Sequence, residues 1–245
     1  MSEDILGLKS YGDALNKSVE GVYKVFSIVC KPVLEELGQM AKDKVRVWRL
    51  NNIHNILEKA NSKFEYKDGE IDLKINPKVA LAIIENGANE DNEDLQEMWA
   101  GLLASSPSKD GLNDENIIYV NVLKQISSIE VKILKYVCEH SRKFEPVPGI
   151  LGAYIEISEE TLIALTGISD FNQLESIFNH LYSLLLFKSM SGIFADFNYS
   201  NFHFKNNSKA LTIGLNPTAL AFNLYFRCIG FKGSIQDYLK EQNSK

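Results

Sequence analysis

The spacing of apolar residues changes along this chain, and that change limits the possible folds more than any other sequence feature. Up to about residue 187 the apolar residues mostly recur every three or four positions, which is typical of helices that bury one face. Farther on they alternate, most clearly in Leu211, Ile213 and Leu215, which indicates strands with one buried face. The sequence therefore predicts a mainly α protein with an α+β unit in its second half.

The first half of the chain contains the strongest helical patterns. An apolar stripe from Val19 to Leu37 contains Pro32, where a kink or break is expected, and a second helix is predicted from about Lys42 to Ala60. Asn76 precedes a proline at the first position of another helix. A further helix, residues 93–105, carries on one face Leu95, Met98, Trp99, Leu102 and Leu103. We expect Trp48 and Trp99 to anchor the core.

The second half predicts a different order of elements. A helix near Ser127–His140 precedes a loop over residues 145–153, and Ser158 caps a short helix. Asp170 begins a helix expected over Phe171–Phe187, and two strands and a last helix opened by Asn216-Pro217 follow. Helix, helix-turn-helix, β-hairpin and helix is the order of a winged-helix domain.

A segment without periodicity separates these two halves. Residues 105–113 (SSPSKDGLN) are rich in Ser, Pro, Gly and Asn, which favours a linker. We therefore predict an N-terminal helical domain followed by a winged-helix-like α+β domain. The predicted divisions are a lead-in at 1–16, the helical domain at 17–106, a linker at 107–113, the winged-helix-like domain at 114–233 and a polar tail at 234–245.

Three segments of the first half resemble the Abi-alpha (abortive infection alpha) family of bacterial proteins. They are VYKVFSIVCKPVLEELGQM, DKVRVWRLNNIHNILEKANSK and INPKVALAIIENGANEDNEDLQEMWAGLLASS. The third is the most specific, with an acidic hinge before a Leu-Gln-x-x-Trp-Ala-x-Leu-Leu-Ala helix. The resemblance implies defence against phage through death or growth arrest of the infected cell. It implies no set of catalytic residues.

Charge and cysteine content restrict the class of protein further. The net charge of −6 argues against a protein that coats nucleic acid, because such proteins are normally basic. Cys30, Cys138 and Cys228 cannot all pair, and no secretory signal is evident, so we expect a reducing cytoplasm. We expect no membrane span, because the apolar stretches are interrupted well before about 20 residues. The histidines and cysteines share no ligand-like spacing and no cofactor motif occurs, so neither a metal nor a cofactor is expected.

One pair of residues is a candidate for catalysis. Arg49 and His54 have the spacing of the HEPN ribonuclease signature, in which the His takes a 2′-hydroxyl proton and the Arg steadies the phosphate without a metal. The alternative is that both lie on a solvated basic helix end beside Lys42, Lys44 and Arg46. Those three residues and Arg49 are also the candidate nucleic-acid contacts.

Three functions stay open from the sequence. The favoured one is a defence protein that acts through a protein partner or self-association, with a phage component as a possible trigger and without catalysis. The alternatives are the metal-independent ribonuclease and a winged-helix regulator that binds nucleic acid. The helix from residue 171 offers Asn172, Gln173, Asn179 and His180 but no Lys or Arg before Lys188. Since affinity for DNA depends on neutralising phosphates, we favour protein over nucleic acid as the partner.

Overall fold

The structure is a computed structural model that describes residues 44–63, 73–147, 150–188, 202–204 and 211–238. These residues are mostly helical and include a small antiparallel sheet. The predicted helix from Val19 to Leu37 and Cys30 lie outside them. The helices are α1 (Lys44–Lys63), α2 (Pro77–Gly87), α3 (Glu93–Ala104), α4 (Asn116–Leu123), α5 (Ser128–His140), α6 (Glu159–Thr166), α7 (Phe171–Ser183) and α8 (Ala219–Cys228). The strands are β1 (Arg142–Val147), β2 (Ile150–Ser158), β3 (Phe187–Lys188), β4 (Phe202–Phe204) and β5 (Leu211–Pro217).

Capping side chains define where most of these helices begin. Asn76 Oδ1 accepts a hydrogen bond from the Lys78 N–H at 3.0 Å, one residue into α2. At α5, Ser127 Oγ accepts from the Glu130 N–H while Glu130 Oε2 accepts from the Ser127 N–H, which completes a capping box. Ser158 caps α6 in the predicted way. These local signals were readable from the sequence.

α3 is the central helix and contacts α1, α2, α4, α5 and α8. Trp99 is buried at 2% exposure, as predicted. Gly101 lies against the end of α8, where an added Cβ would be only 1.6 Å from the Cys228 carbonyl oxygen. One apolar core extends from Ile53 in α1 to Ile235 after α8.

The sheet begins with a hairpin that the sequence interpretation missed. Residues 145–153 were expected to form a loop, but β1 and β2 pair with Phe144 opposite Gly152. The expectation was wrong because Ala153, Ile155 and Ile157 are all buried, so tertiary packing favours a strand. Pro146 is tolerated because β1 is an edge strand of the sheet.

β5 lies in the middle of the sheet. Ile155 of β2 is opposite Leu215 on one side, while β3 and β4 pair with successive parts of the other side. α7 ends at Ser183, before the predicted Phe187, which instead belongs to β3. Thr218 caps the last helix, two residues after the predicted cap Asn216, because Pro217 is still paired in β5.

The predicted linker is attached to both of its neighbours. Lys74 and Ser108 exchange two backbone hydrogen bonds of 2.8 Å, and the buried Asn116 donates to Ser106 Oγ at 2.8 Å. Core residues on both sides of residues 107–113 belong to the same apolar cluster. The division of the chain into two domains at this segment stays a prediction. Within the described part of the chain, no helix is both long and apolar enough to cross a membrane.

Candidate functional site

Arg49 lies at the edge of the face of α1 that packs on α3. Asn52, Ile53 and Ile56 are buried on that face, and Arg49 precedes them by about one helical turn. Its side chain is half-buried, and its Nε has no hydrogen-bond partner among the described residues. Packing, as well as charge, therefore determines where this guanidinium lies.

His54 leaves α1 in a different direction. Its Nε2 lies 3.3 Å from Glu58 Oε1, one turn farther along the helix. Five positions on an α-helix correspond to a rotation of about 500°, so the Arg49 and His54 side chains leave the axis about 140° apart. Within one chain the helix therefore does not direct the two side chains to a common point.

A buried amide network fixes α1 on the α2–α3 turn. Asn52 Nδ2 donates to the Ala88 carbonyl at 3.1 Å, and Gln96 Nε2 donates to Asn52 Oδ1 at 3.4 Å and to the Glu90 carbonyl at 2.9 Å. The sequence analysis did not identify this network. Its only local signal is that Asn52 falls beside the apolar stripe of α1, and its partner Gln96 is 44 residues away.

The first two turns of α1 extend past this network and expose apolar side chains. Asn52 is bonded to Gln96 in the first turn of α3, and the apolar residues concerned precede Asn52 by four to seven positions. Val45 is 56% exposed, Val47 48% and Trp48 37%. The expectation that Trp48 anchors the core is therefore wrong. Around the helix axis Trp48 lies between the two valines, about 60° from Val45 and about 100° from Val47. We name Val45, Val47 and Trp48 the α1 patch.

The predicted basic residues lie at the same end of α1. Lys44 and Arg46 are in its first turn, although their side chains are not among those described, and Lys42 lies outside the described residues. The other end of α1 is held to α3 instead, because Lys59 pairs with Glu93 and Lys63 Nζ lies 2.6 Å from Glu97 Oε2. Burial alone would raise the pKa of Glu97, but Lys63 and Lys59 lower it below its usual value.

A second polar group joins α5 to α7. Glu130 is buried, its Oε2 accepts from Ser127, and its Oε1 lies 2.5 Å from His180 Nδ1. His180 is half-exposed and lies 50 residues from Glu130. The Ser-x-x-Glu capping pattern was readable in the sequence, but the histidine partner was not. Within one chain, the pair fastens the helix predicted to be the recognition helix to α5.

The buried thiols and the acidic groups offer no metal or nucleophilic centre within the described residues. Cys138 and Cys228 are free and buried, as expected from their apolar surroundings. Burial raises the pKa of both thiols, which disfavours the reactive thiolate. No group of three or more His, Cys, Asp or Glu side chains in this part of the chain could hold a metal ion.

The fold and these sites define a mostly helical protein with a small antiparallel sheet. Comparison with known protein families identifies the family to which it belongs. A family model described as abortive infection alpha matches residues 49–217, which is more than half of the chain. The chain belongs to this family, which confirms the resemblance found in the sequence, and the match runs from α1 through β5. Membership indicates a role in abortive infection, a defence of bacteria against phage. No curated protein and no solved structure matches the chain.

Proposed function

We propose that this abortive-infection protein acts by binding a protein partner through the α1 patch. The observation that carries the proposal is the exposure of Trp48 together with Val45 and Val47 in the first two turns of α1. Tryptophan is among the residues that most often dominate binding energy at protein interfaces. An exposed apolar cluster of this kind favours docking over solvation.

The charges around the α1 patch indicate the chemistry of the partner. Lys44, Arg46 and Arg49 fall within the same two turns, in a chain whose net charge is −6. A local basic end on an acidic protein favours a partner segment of opposite charge. We therefore propose an acidic protein segment with an apolar side chain that covers Trp48, supplied by a phage component or by the host.

We further propose that residues 114–233 form a winged-helix-like domain. The order of elements supports this proposal, because α5 is followed by β2, α6, α7, β3, β4 and β5. The sheet supports it as well, because β5 lies between β2 on one side and β3 and β4 on the other. The exposed positions of α7 include Asn172, Gln173 and Asn179, which are uncharged. That composition supports a protein-docking role over DNA binding. The free buried thiols support a proposed cytoplasmic location.

The test of the α1 patch is the introduction of a negative charge into its apolar surface. Val45→Glu and Val47→Glu place an acid where we propose that an acidic partner docks, and both positions are exposed enough to leave folding intact. Ile118→Glu is the matched control, because Ile118 is also 56% exposed but lies on α4. We expect both patch variants to lose protection in plaque assays, while Ile118→Glu protects like the wild type and all three melt alike.

The partner itself is identified by crosslinking in infected cells. We expect a protein with an acidic contact segment to crosslink near residue 48. This crosslink should be lost in Val45→Glu and in Val47→Glu and kept in Ile118→Glu. Crosslinking to RNA or to lipid at the same position would contradict a protein partner. Full protection by both patch variants would contradict any role of this surface.

A further inference from the structure

A groove crosses one end of the sheet and carries a single positive charge. It has a volume of about 540 Å³, which lies within the usual range of about 300–1,000 Å³ for ligand sites. Strands β1, β2, β3 and β5 contribute to it, and Ile235 and Gln236 also line it. Among the described residues that line it, Lys188 carries the only charge.

The aromatic wall of the groove is Phe144. Its ring rests on Gly152, since a Cβ added to that glycine would lie 2.5 Å from Phe144 Cε2 and 2.7 Å from Cζ. The residue is nevertheless 50% exposed and lines the groove. A half-exposed ring held against a strand is a preorganised surface on which a flat apolar group can stack.

The polar end of the groove is formed by Lys188 and Asn216. These residues are directly opposite each other in the β3–β5 pair, so their side chains project on the same face of the sheet. None of the ion pairs among the described residues includes Lys188. The ammonium and the amide are therefore available together as donors to an anionic group.

The two ends lie a fixed distance apart. β1 and β3 are separated by β2 and β5, and three strand spacings correspond to about 14 Å. The reach of the Phe144 and Lys188 side chains leaves room for a molecule with two rings or with a ring and a linker. The charge and shape of the groove therefore fit a ligand that has a flat apolar part at one end and an anionic group at the other.

We propose that this groove binds a small aromatic anion, with its ring on Phe144 and its carboxylate, sulfonate or phosphate on Lys188 and Asn216. This site is separate from the α1 patch and does not depend on the proposed protein partner. An aromatic acid and a mononucleotide share the required chemistry. Gly152 is a positioning residue, because only a residue without a Cβ lets the Phe144 ring rest in its place.

The test is a titration of the full-length protein with 8-anilinonaphthalene-1-sulfonate, followed by displacement with 1-naphthoate or adenosine 5′-monophosphate. We expect Lys188→Gln to weaken binding of the dye roughly tenfold or more, as for the loss of a charge-assisted hydrogen bond. Lys132→Gln is the matched control, because Lys132 is an exposed lysine on α5 outside the groove. Phe144→Ala should weaken binding of the dye and binding of the neutral analogue N-phenyl-1-naphthylamine alike, whereas Lys188→Gln should weaken binding of the dye only.

The competitors distinguish the two sources of ligand. Stronger displacement by adenosine 5′-monophosphate than by 1-naphthoate would assign the groove to nucleotides, and the reverse order would assign it to aromatic acids. Equal weakening of dye binding by Lys132→Gln and Lys188→Gln would overturn the proposal. A wild-type protein that binds none of these probes at millimolar concentration would also overturn it. Melting curves of each variant show whether dye binding reports the folded protein.

Discussion

Replacing Gly101 with alanine should destabilise this protein, although the same change usually stabilises a helix. Gly101 lies in the interior of α3, where alanine is intrinsically favoured over glycine by about 1 kcal/mol. The added Cβ, however, would lie 1.6 Å from the Cys228 oxygen and 2.2 Å from the Cys228 carbonyl carbon. Both are backbone atoms at the end of α8, so no side-chain rotation relieves the clash.

The size of the effect follows from the displacement that alanine requires. Real Cβ atoms essentially never approach another atom within 3.0 Å, so α3 and α8 must separate by about 1.4 Å at this point. A gap of about 0.5–1 Å already loses a quarter to a half of the dispersion attraction between packed atoms. Phe222, Leu224 and Phe226 are buried on α8 and would lose part of their packing. Since overpacking costs about 1–3 kcal/mol, and the cost is greater against backbone, we expect a net loss of about 3 kcal/mol.

The measurement is the urea midpoint and the thermal midpoint of Gly101→Ala by circular dichroism. For a chain of this size, about 3 kcal/mol corresponds to a fall in Tm of roughly 6–12 °C. Gly167→Ala is the control, because Gly167 has φ +72° with nothing within 4 Å of an added Cβ. It should cost only the roughly 1–2 kcal/mol of left-handed backbone strain. A Gly101→Ala protein as stable as the wild type would refute the described contact between α3 and α8.

Three further predictions concern the core, the candidate catalytic pair and a half-buried tyrosine. Trp99→Ala should lose about 3–5 kcal/mol and abolish protection through loss of folded protein, so a variant that melts like the wild type but fails to protect would show a functional Trp99. Arg49→Lys and His54→Ala should both fold and protect, and parallel loss of protection, with RNA fragments made only by the wild type, would instead support the ribonuclease. Burial raises the pKa of Tyr182 to about 12, while the unfolded chain ionises near 10.0, so stability should fall from about pH 10 to 12. Urea midpoints across that range should fall less in Tyr182→Phe than in the wild type.

Local chemistry explains why much of the helical layout was predictable. The start of α2 after Asn76, the start of α5 after Ser127 and the start of α6 after Ser158 each depend on hydrogen bonds within a few residues. The burial of Trp99 follows from its place in a regular apolar stripe. The family was recognisable for the same reason, since each segment that carries the resemblance is a run of consecutive residues.

Tertiary contacts decided what the pattern alone could not. Trp48 has the same helical spacing as a core residue, but it is 37% exposed, in the part of α1 that precedes the Asn52–Gln96 contact. Residues 145–153 were expected to form a loop, but β1 ends and β2 begins there, because the two strands pair with each other and the core buries Ala153. The Glu130–His180 contact joins residues 50 positions apart.

The sequence by itself determined the family, the helix starts and the apolar faces, because these depend on neighbouring residues and on period. The tertiary structure alone decided which faces are covered, which polar groups meet and where a glycine is required. Those features depend on surfaces brought together from distant parts of the chain, as at Gly101 and Cys228, and no local spacing records them.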